Sequence, residues 1–303
     1  MKNDFVIEAY PDRIQAKIEK KERDKRERMP STIYGSALEL VLDDLKLWRV
    51  GTITVSFKGG DSALHEKLAN TVKKWTEYGN ISFDFGFDQT TGSYRQWSPD
   101  DKSNVRVGFE YEGYWSLVGN DSADPAIVGF GEITLNLSNF DKNLPPDWAG
   151  VALHEFGHAL GFQHEHQSPA TACDFDWPAL YDYLGGSPNY WTKAKVDHNL
   201  RQLKEGGLTF SAHDKNSIMH YSFPAWMFIS KEKSPCFTAE NTELSEEDKR
   251  MMQVAYPYEN ELILERDAAR VGALKEMVAM SKKDSEVNDF HKKRLKYYRK
   301  MTV

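Results

Sequence analysis

Apolar and polar residues alternate from Gly51 to Phe57, with Ile53, Val55 and Phe57 set against threonines and a serine, which predicts a half-buried strand. The phrase from Gly59 to Ser62 reads as a turn. A helix should follow it, with Leu64, Leu68, Val72 and Trp75 on one face. Residues 81–87, 104–111 and 131–137 predict three further strands, with a loop over 113–121 between the last two. Upstream, residues 37–47 suit a short amphipathic helix, and 11–28 are so densely charged that a solvated helix or a mobile arm is expected.

The pattern changes again at Asp147, a plausible N-cap after Pro145 and Pro146. Trp148, Val151, Ala152, Leu153, Phe156, Ala159 and Leu160 make the next helix apolar on nearly every side, which implies burial. Beyond it, 175–184 and 194–203 look helical around a Gly-Gly-Ser-Pro break. Residues 242–254 predict another helix that stops before Pro257, and 259–282 a longer one. The basic run from Lys292 to Lys300 suits nucleic acid or an anionic membrane surface, with a solvated helix end the preferred reading.

The buried helix carries three polar interruptions, His154, Glu155 and His158, each costly to bury without a partner. His154 and His158 lie one turn apart, and Gly161 can turn the chain so that His164 returns beside them. Three neutral imidazoles and a water form an open, catalytic kind of Zn2+ site. Glu155 is angularly offset, placed to reach the water as general base. A bare H-E-x-x-H occurs by chance on ordinary helices; the added glycine and third histidine complete H-E-x-x-H-x-x-G-x-x-H, the zinc signature of metzincins. Met219 alone would read as core packing.

The chain has 303 residues, room for one large domain or two smaller ones, and its 40% hydrophobic content supports a sizeable core. A net charge of −7 exerts no global pull toward nucleic acid. No apolar run approaches a bilayer span, and MKNDFVIEAYPDR lacks the layout of a secretory signal. The two cysteines, Cys173 and Cys236, are too few for a disulfide framework; two free thiols in the cytosol are expected, with pairing and a signal-independent export left open.

HEFGHALGFQHEH, with Phe162 and Glu165, together with SIMHY from Ser217 to Tyr221, resembles the astacin-like branch of the metzincins. The likeness extends more loosely over 48–257, through the helix opened by LSEED. It implies an α+β fold of two subdomains, 48–164 above and 165–257 below, flanked by a charged arm (1–47) and a helical basic tail (258–303). It also implies a cleft with the zinc helix as floor and residues 131–137 as its upper rim, where an extended peptide would pair. His154, His158, His164 and Tyr221 would hold zinc, and Glu155 and Tyr221 would act in peptide-bond hydrolysis by a monomer. Phe223, Pro224, Trp226, Met227 and Phe228 would wall the pocket beside the scissile bond, or simply pack as core. The chain departs from the family in its cysteines, in residues 167–173 and in the absence of a visible propeptide switch. An F-x-G-D-like phrase at 57–61 falls where a turn is expected. Two rival readings stand: a catalytically silent peptide-binding module, which intact Glu155 argues against, and an interaction protein acting through its charged ends.

Overall fold

The computed structural model describes residues 9–26, 42–43, 45–125, 127–187, 189–203, 208–210, 212–283 and 285–299. Its sheet includes a strand whose inward residues Ile53, Val55 and Phe57 are all buried: β2 (Gly51–Phe57). β2 pairs in parallel with β3 (Ile81–Asp84) on one side and β4 (Val105–Gly108) on the other. β4 pairs with β6 (Leu135–Leu137), and β5 (Tyr114–Ser116) closes the edge antiparallel to β6, so the order is β3-β2-β4-β6-β5. The result is a mixed, twisted sheet covered by helices, an α/β arrangement.

Two expectations change here. Residues 114–116, read as loop, form the edge strand, and the predicted rim strand shrinks to Leu135–Leu137 in the sheet interior. The pairing surface at the edge therefore belongs to β5. The reason is that β5 shows no alternation: Trp115 and Ser116 are both buried, because a helix covers the side that would otherwise be solvated.

That helix is α1 (Asp12–Arg26). It is neither merely solvated nor a mobile arm: Ile14 and Ile18 are 1% and 4% exposed against Trp115, Leu117, Ile127, Val128 and Ile133. Just before it, the Tyr10 hydroxyl donates to the Ser116 carbonyl at 3.1 Å. The expected helix over 37–47 also differs. Leu42–Asp43 is a short strand, β1, paired antiparallel with β7 (Leu208–Thr209), while 37–41 lie outside the described residues.

Asp61 caps α2 (Ser62–Thr76) by accepting from the Leu64 amide at 2.8 Å, so the F-x-G-D-like phrase is the turn its glycines suggest. α2 packs on α3 (Trp148–Ala159), where the Trp75 indole donates to the Leu153 carbonyl at 2.8 Å. From the opposite side the Trp48 indole donates to the Ala159 carbonyl at 2.7 Å. α3 is buried because the sheet, α2 and the chain after it surround it.

Below lie α4 (Trp177–Gly185) and α5 (Lys193–Leu200), which bury Leu180, Leu184, Val196 and Leu200 with Phe175, Phe223, Met227 and Phe228. Of the two readings of that aromatic segment, core packing prevails. An isolated bridge between Phe175 and Phe228 draws two distant loops together, and Cys173 and Cys236 form a disulfide beside it. The expectation of two free thiols is thus overturned. They stand 63 residues apart in sequence, and only the folded chain brings their Cα atoms to 5.4 Å.

α6 (Glu246–Ala255) starts with a full capping box: Ser245 accepts from the Asp248 amide, and Asp248 from the Ser245 amide. Asp248 also accepts from the Ser217 hydroxyl at 2.7 Å and the Ile218 amide at 2.9 Å, tying α6 to the SIMHY segment. Ser245→Ala should cost about 1 kcal/mol of unfolding free energy, the usual loss of an N-cap acceptor, measured by urea denaturation.

α7 (Asn260–Met280) and α8 (Glu286–Arg299) pack together around Leu274, Met277, Leu295 and Leu45. The basic C-terminal run is therefore partly engaged in the fold: Arg294 donates to the Leu45 carbonyl at 2.8 Å and pairs with Asp121. Lys292, Lys293 and Lys296 remain exposed. No described helix is long and apolar enough to cross a membrane.

Candidate metal centre

α3 ends as its glycine predicts. Gly161 adopts φ +105°, its amide donates to the His158 carbonyl at 2.8 Å, and the Phe162 amide reaches back to the Gly157 carbonyl at 3.1 Å. Phe162 then inserts beside Trp75 with ring centroids 4.9 Å apart, and the chain resumes an extended conformation at His164. This turn brings His164 against the helix: its ring centroid is 4.5 Å from that of His158 and 5.3 Å from that of His154.

Outer hydrogen bonds set the tautomer of each imidazole. His154 Nδ1 donates to the Ile218 carbonyl at 2.7 Å, and His158 Nδ1 to the Phe162 carbonyl at 2.8 Å. Gln167 uses its amide nitrogen on the His198 and Arg201 carbonyls, so its Oε1 is the acceptor facing His164 Nδ1 at 3.3 Å. All three rings thus turn Nε2 lone pairs inward. His158 Nε2 and His164 Nε2 stand 3.0 Å apart. Two lone pairs at that distance repel unless a cation lies between them. Tetrahedral imidazole ligands of zinc are spaced about 3.3 Å apart, given bonds of about 2.0 Å. The donor set fits such an ion, and these three histidines form a group able to hold one.

Around the three histidines, Glu155 is fully buried on α3, next to His154. The Tyr221 ring lies 4.5 Å from the His164 ring and 5.4 Å from the His154 ring, so the structure brings Tyr221 together with the three histidines. Met219 passes under the helix so closely that a Cβ on Gly157 would come within 2.4 Å of its sulfur. That requirement explains the glycine inside HEFGH.

One neighbour, His166, escaped the sequence reading. His166 is buried, its ring 5.1 Å from that of His164 and its Nε2 on the Asn199 carbonyl at 3.0 Å; burial holds its pKa well below the ordinary imidazole value. Burial also pushes the Glu165 carboxyl up to about 8, although the Asp214 amide donates to its Oε1 at 3.0 Å. The doubled HEH in the phrase after Gly161 was the available signal.

An open groove runs beside His154, lined among others by Tyr114, Asn139, Asp147, Tyr221 and Glu240. Residues 223–228 take no part in its wall.

No family model matches the chain. The solved structure of myroilysin superposes with a TM-score of 0.61 at 30% identity, covering 72% of this chain and 99% of that one. The chain belongs to the metzincin-type zinc metalloproteases. This metzincin is also similar to two curated proteins. It is 25% identical over 178 residues to zinc metalloproteinase nas-39 of Caenorhabditis elegans, a match covering 58% of this chain and 16% of that protein. It is 27% identical over 194 residues to nematocyst expressed protein 6 of Nematostella vectensis, covering 62% and 55%. The chain thus spans well under two thirds of the length of either curated relative.

Proposed function

We propose that this metzincin is an astacin-like endopeptidase in which His154, His158 and His164 hold one zinc ion and Glu155 serves as general base. The convergence of three tautomer-fixed Nε2 atoms at the end of a buried helix carries this reading. When bound, zinc lowers the pKa of water to near neutrality and polarises a carbonyl. Glu155 takes the proton from the attacking water and delivers it to the leaving amine. The Tyr221 hydroxyl donates to the oxygen on which negative charge develops. The backbone of β5, at the sheet edge, is the surface on which an extended peptide would pair, in place of residues 131–137. Asp147 and Glu240 add acidic groups to the groove.

The Cys173–Cys236 bond suits a protein that works in an oxidising compartment, which favours export over residence in the cytosol.

Casein digestion with and without a chelator, followed by zinc add-back, tests the activity. Loss and recovery support an enzyme; a metal-loaded protein that binds casein and never cleaves it supports the silent module instead. His164→Ala should lose most of its zinc by elemental analysis, and full retention would remove the third ligand from the set.

A further inference from the structure

A second group of donors is built around His220, which lies in the SIMHY segment and also lines the groove beside His154. One nitrogen each from His213 and His220, and the sulfur of Cys236, lie within 4.8 Å of one another. His220 and Cys236 are buried and His213 is half-buried. His220 Nδ1 donates to the Tyr221 carbonyl at 2.8 Å, so Nε2 is the nitrogen it can offer. The Nε2 atoms of both histidines are buried without a hydrogen-bond partner among the described residues, a costly arrangement that a ligand would relieve. Their rings stand 5.1 Å apart. In the folded protein the sulfur is bonded to Cys173 and is a poor donor.

We propose that His213, His220 and Cys236 form a second, redox-gated metal site, which takes zinc when the disulfide is opened by a dithiol. Two imidazoles and one thiolate are a donor set suited to a borderline-soft divalent ion, with water in the fourth position. The accessible end of the disulfide is Cys173, which is half-buried whereas Cys236 is fully buried. A thiolate of the dithiol attacks the Cys173 sulfur, the S–S bond breaks, and Cys236 leaves as a thiolate beside the two imidazoles. The second thiol of the reagent then displaces Cys173 from the mixed disulfide. The dithiol loses two electrons and becomes a disulfide; one of its protons ends on Cys173 and the other passes to solvent, since Cys236 stays ionised on the metal.

This site is independent of the proteolytic reading. It also has a structural consequence: the segment around Cys236 is held by a covalent bond to Cys173 in the oxidised protein, and by zinc to His213 and His220 in the reduced one.

The test counts zinc per chain after equilibration with the ion and removal of excess, with near-ultraviolet circular dichroism confirming the folded state. Wild type should hold one zinc when oxidised and two when dithiol-reduced; His213→Ala and Cys236→Ser should hold one throughout. Cys173→Ser, which frees the Cys236 thiol without reductant, should hold two. With cobalt in place of zinc it should show a thiolate-to-metal charge-transfer band that is missing in oxidised wild type. If Cys173→Ser does not fold, reduction of folded wild type gives the same readout. A zinc count in the folded, reduced wild type no higher than in the oxidised protein would overturn the proposal. So would a second zinc that persists in reduced His213→Ala or binds equally in the oxidised protein.

Discussion

Glu155→Gln should retain its zinc and its fold and lose about a hundredfold or more of its peptide hydrolysis, the size expected when a general base is removed. The position makes the experiment clean. Glu155 is fully buried on α3, where a change of volume would disturb Leu153, Phe156 and the sheet above, and glutamine preserves that volume. What glutamine lacks is a basic oxygen. Neither His154 nor His158 depends on it, because their Nδ1 donors end on the Ile218 and Phe162 carbonyls. Metal content and the near-ultraviolet spectrum should therefore match wild type while kcat collapses. Turnover within a few-fold of wild type, in a folded and metal-loaded variant, would remove Glu155 from the mechanism.

Tyr221→Phe is the second large effect. Loss of one donor to a developing oxyanion typically costs about 3 kcal/mol, which appears in kcat with KM nearly unchanged. The ring itself has a packing role: it lies beside His154, His164 and His166 and contacts Phe223 edge-on with centroids 5.4 Å apart. Phenylalanine keeps those contacts, so stability and zinc content should hold, and the variant isolates the hydroxyl. If the phenol oxygen also competes with substrate for the ion, KM should fall together with kcat, and the loss in kcat/KM will be smaller. Steady-state kinetics on one fluorogenic peptide distinguish the cases. A kcat within a factor of two of wild type means that Tyr221 only packs.

Both predictions rest on residues that could be named before any fold was known. The donors of the metal centre come from one helix and the turn that ends it, and helix periodicity with a glycine C-terminus is a local property of the chain. β2, α2 and α6 were legible for similar reasons: strict alternation, a glycine turn before an apolar helix face, and an acidic helix start each act within a few residues.

The misreadings share the opposite character. β5 was invisible because its Trp115 is buried under α1, a helix about a hundred residues earlier whose dense charge concealed Ile14 and Ile18. The rim strand was misplaced because strand order depends on which edges pair, and Leu135–Leu137 carries the same apolar signal inside a sheet or at its border. Arg294 read as part of a solvated tail until Leu45 and Asp121 were seen beside it.

What the amino-acid sequence determined by itself was the residue set of the candidate site: a buried helix with two histidines and a glutamate, a glycine turn, a third histidine and the SIMHY phrase. Tertiary structure alone decided the rest: the fixing of the His154 tautomer by Ile218, the edge that β5 presents, the Cys173–Cys236 bond and the meeting of that sulfur with His213 and His220. The longest of those contacts, His154 to Ile218 and Cys173 to Cys236, join residues 64 and 63 positions apart. They form because burying the apolar faces of many elements together draws the segments close, and no local pattern encodes which segments will meet.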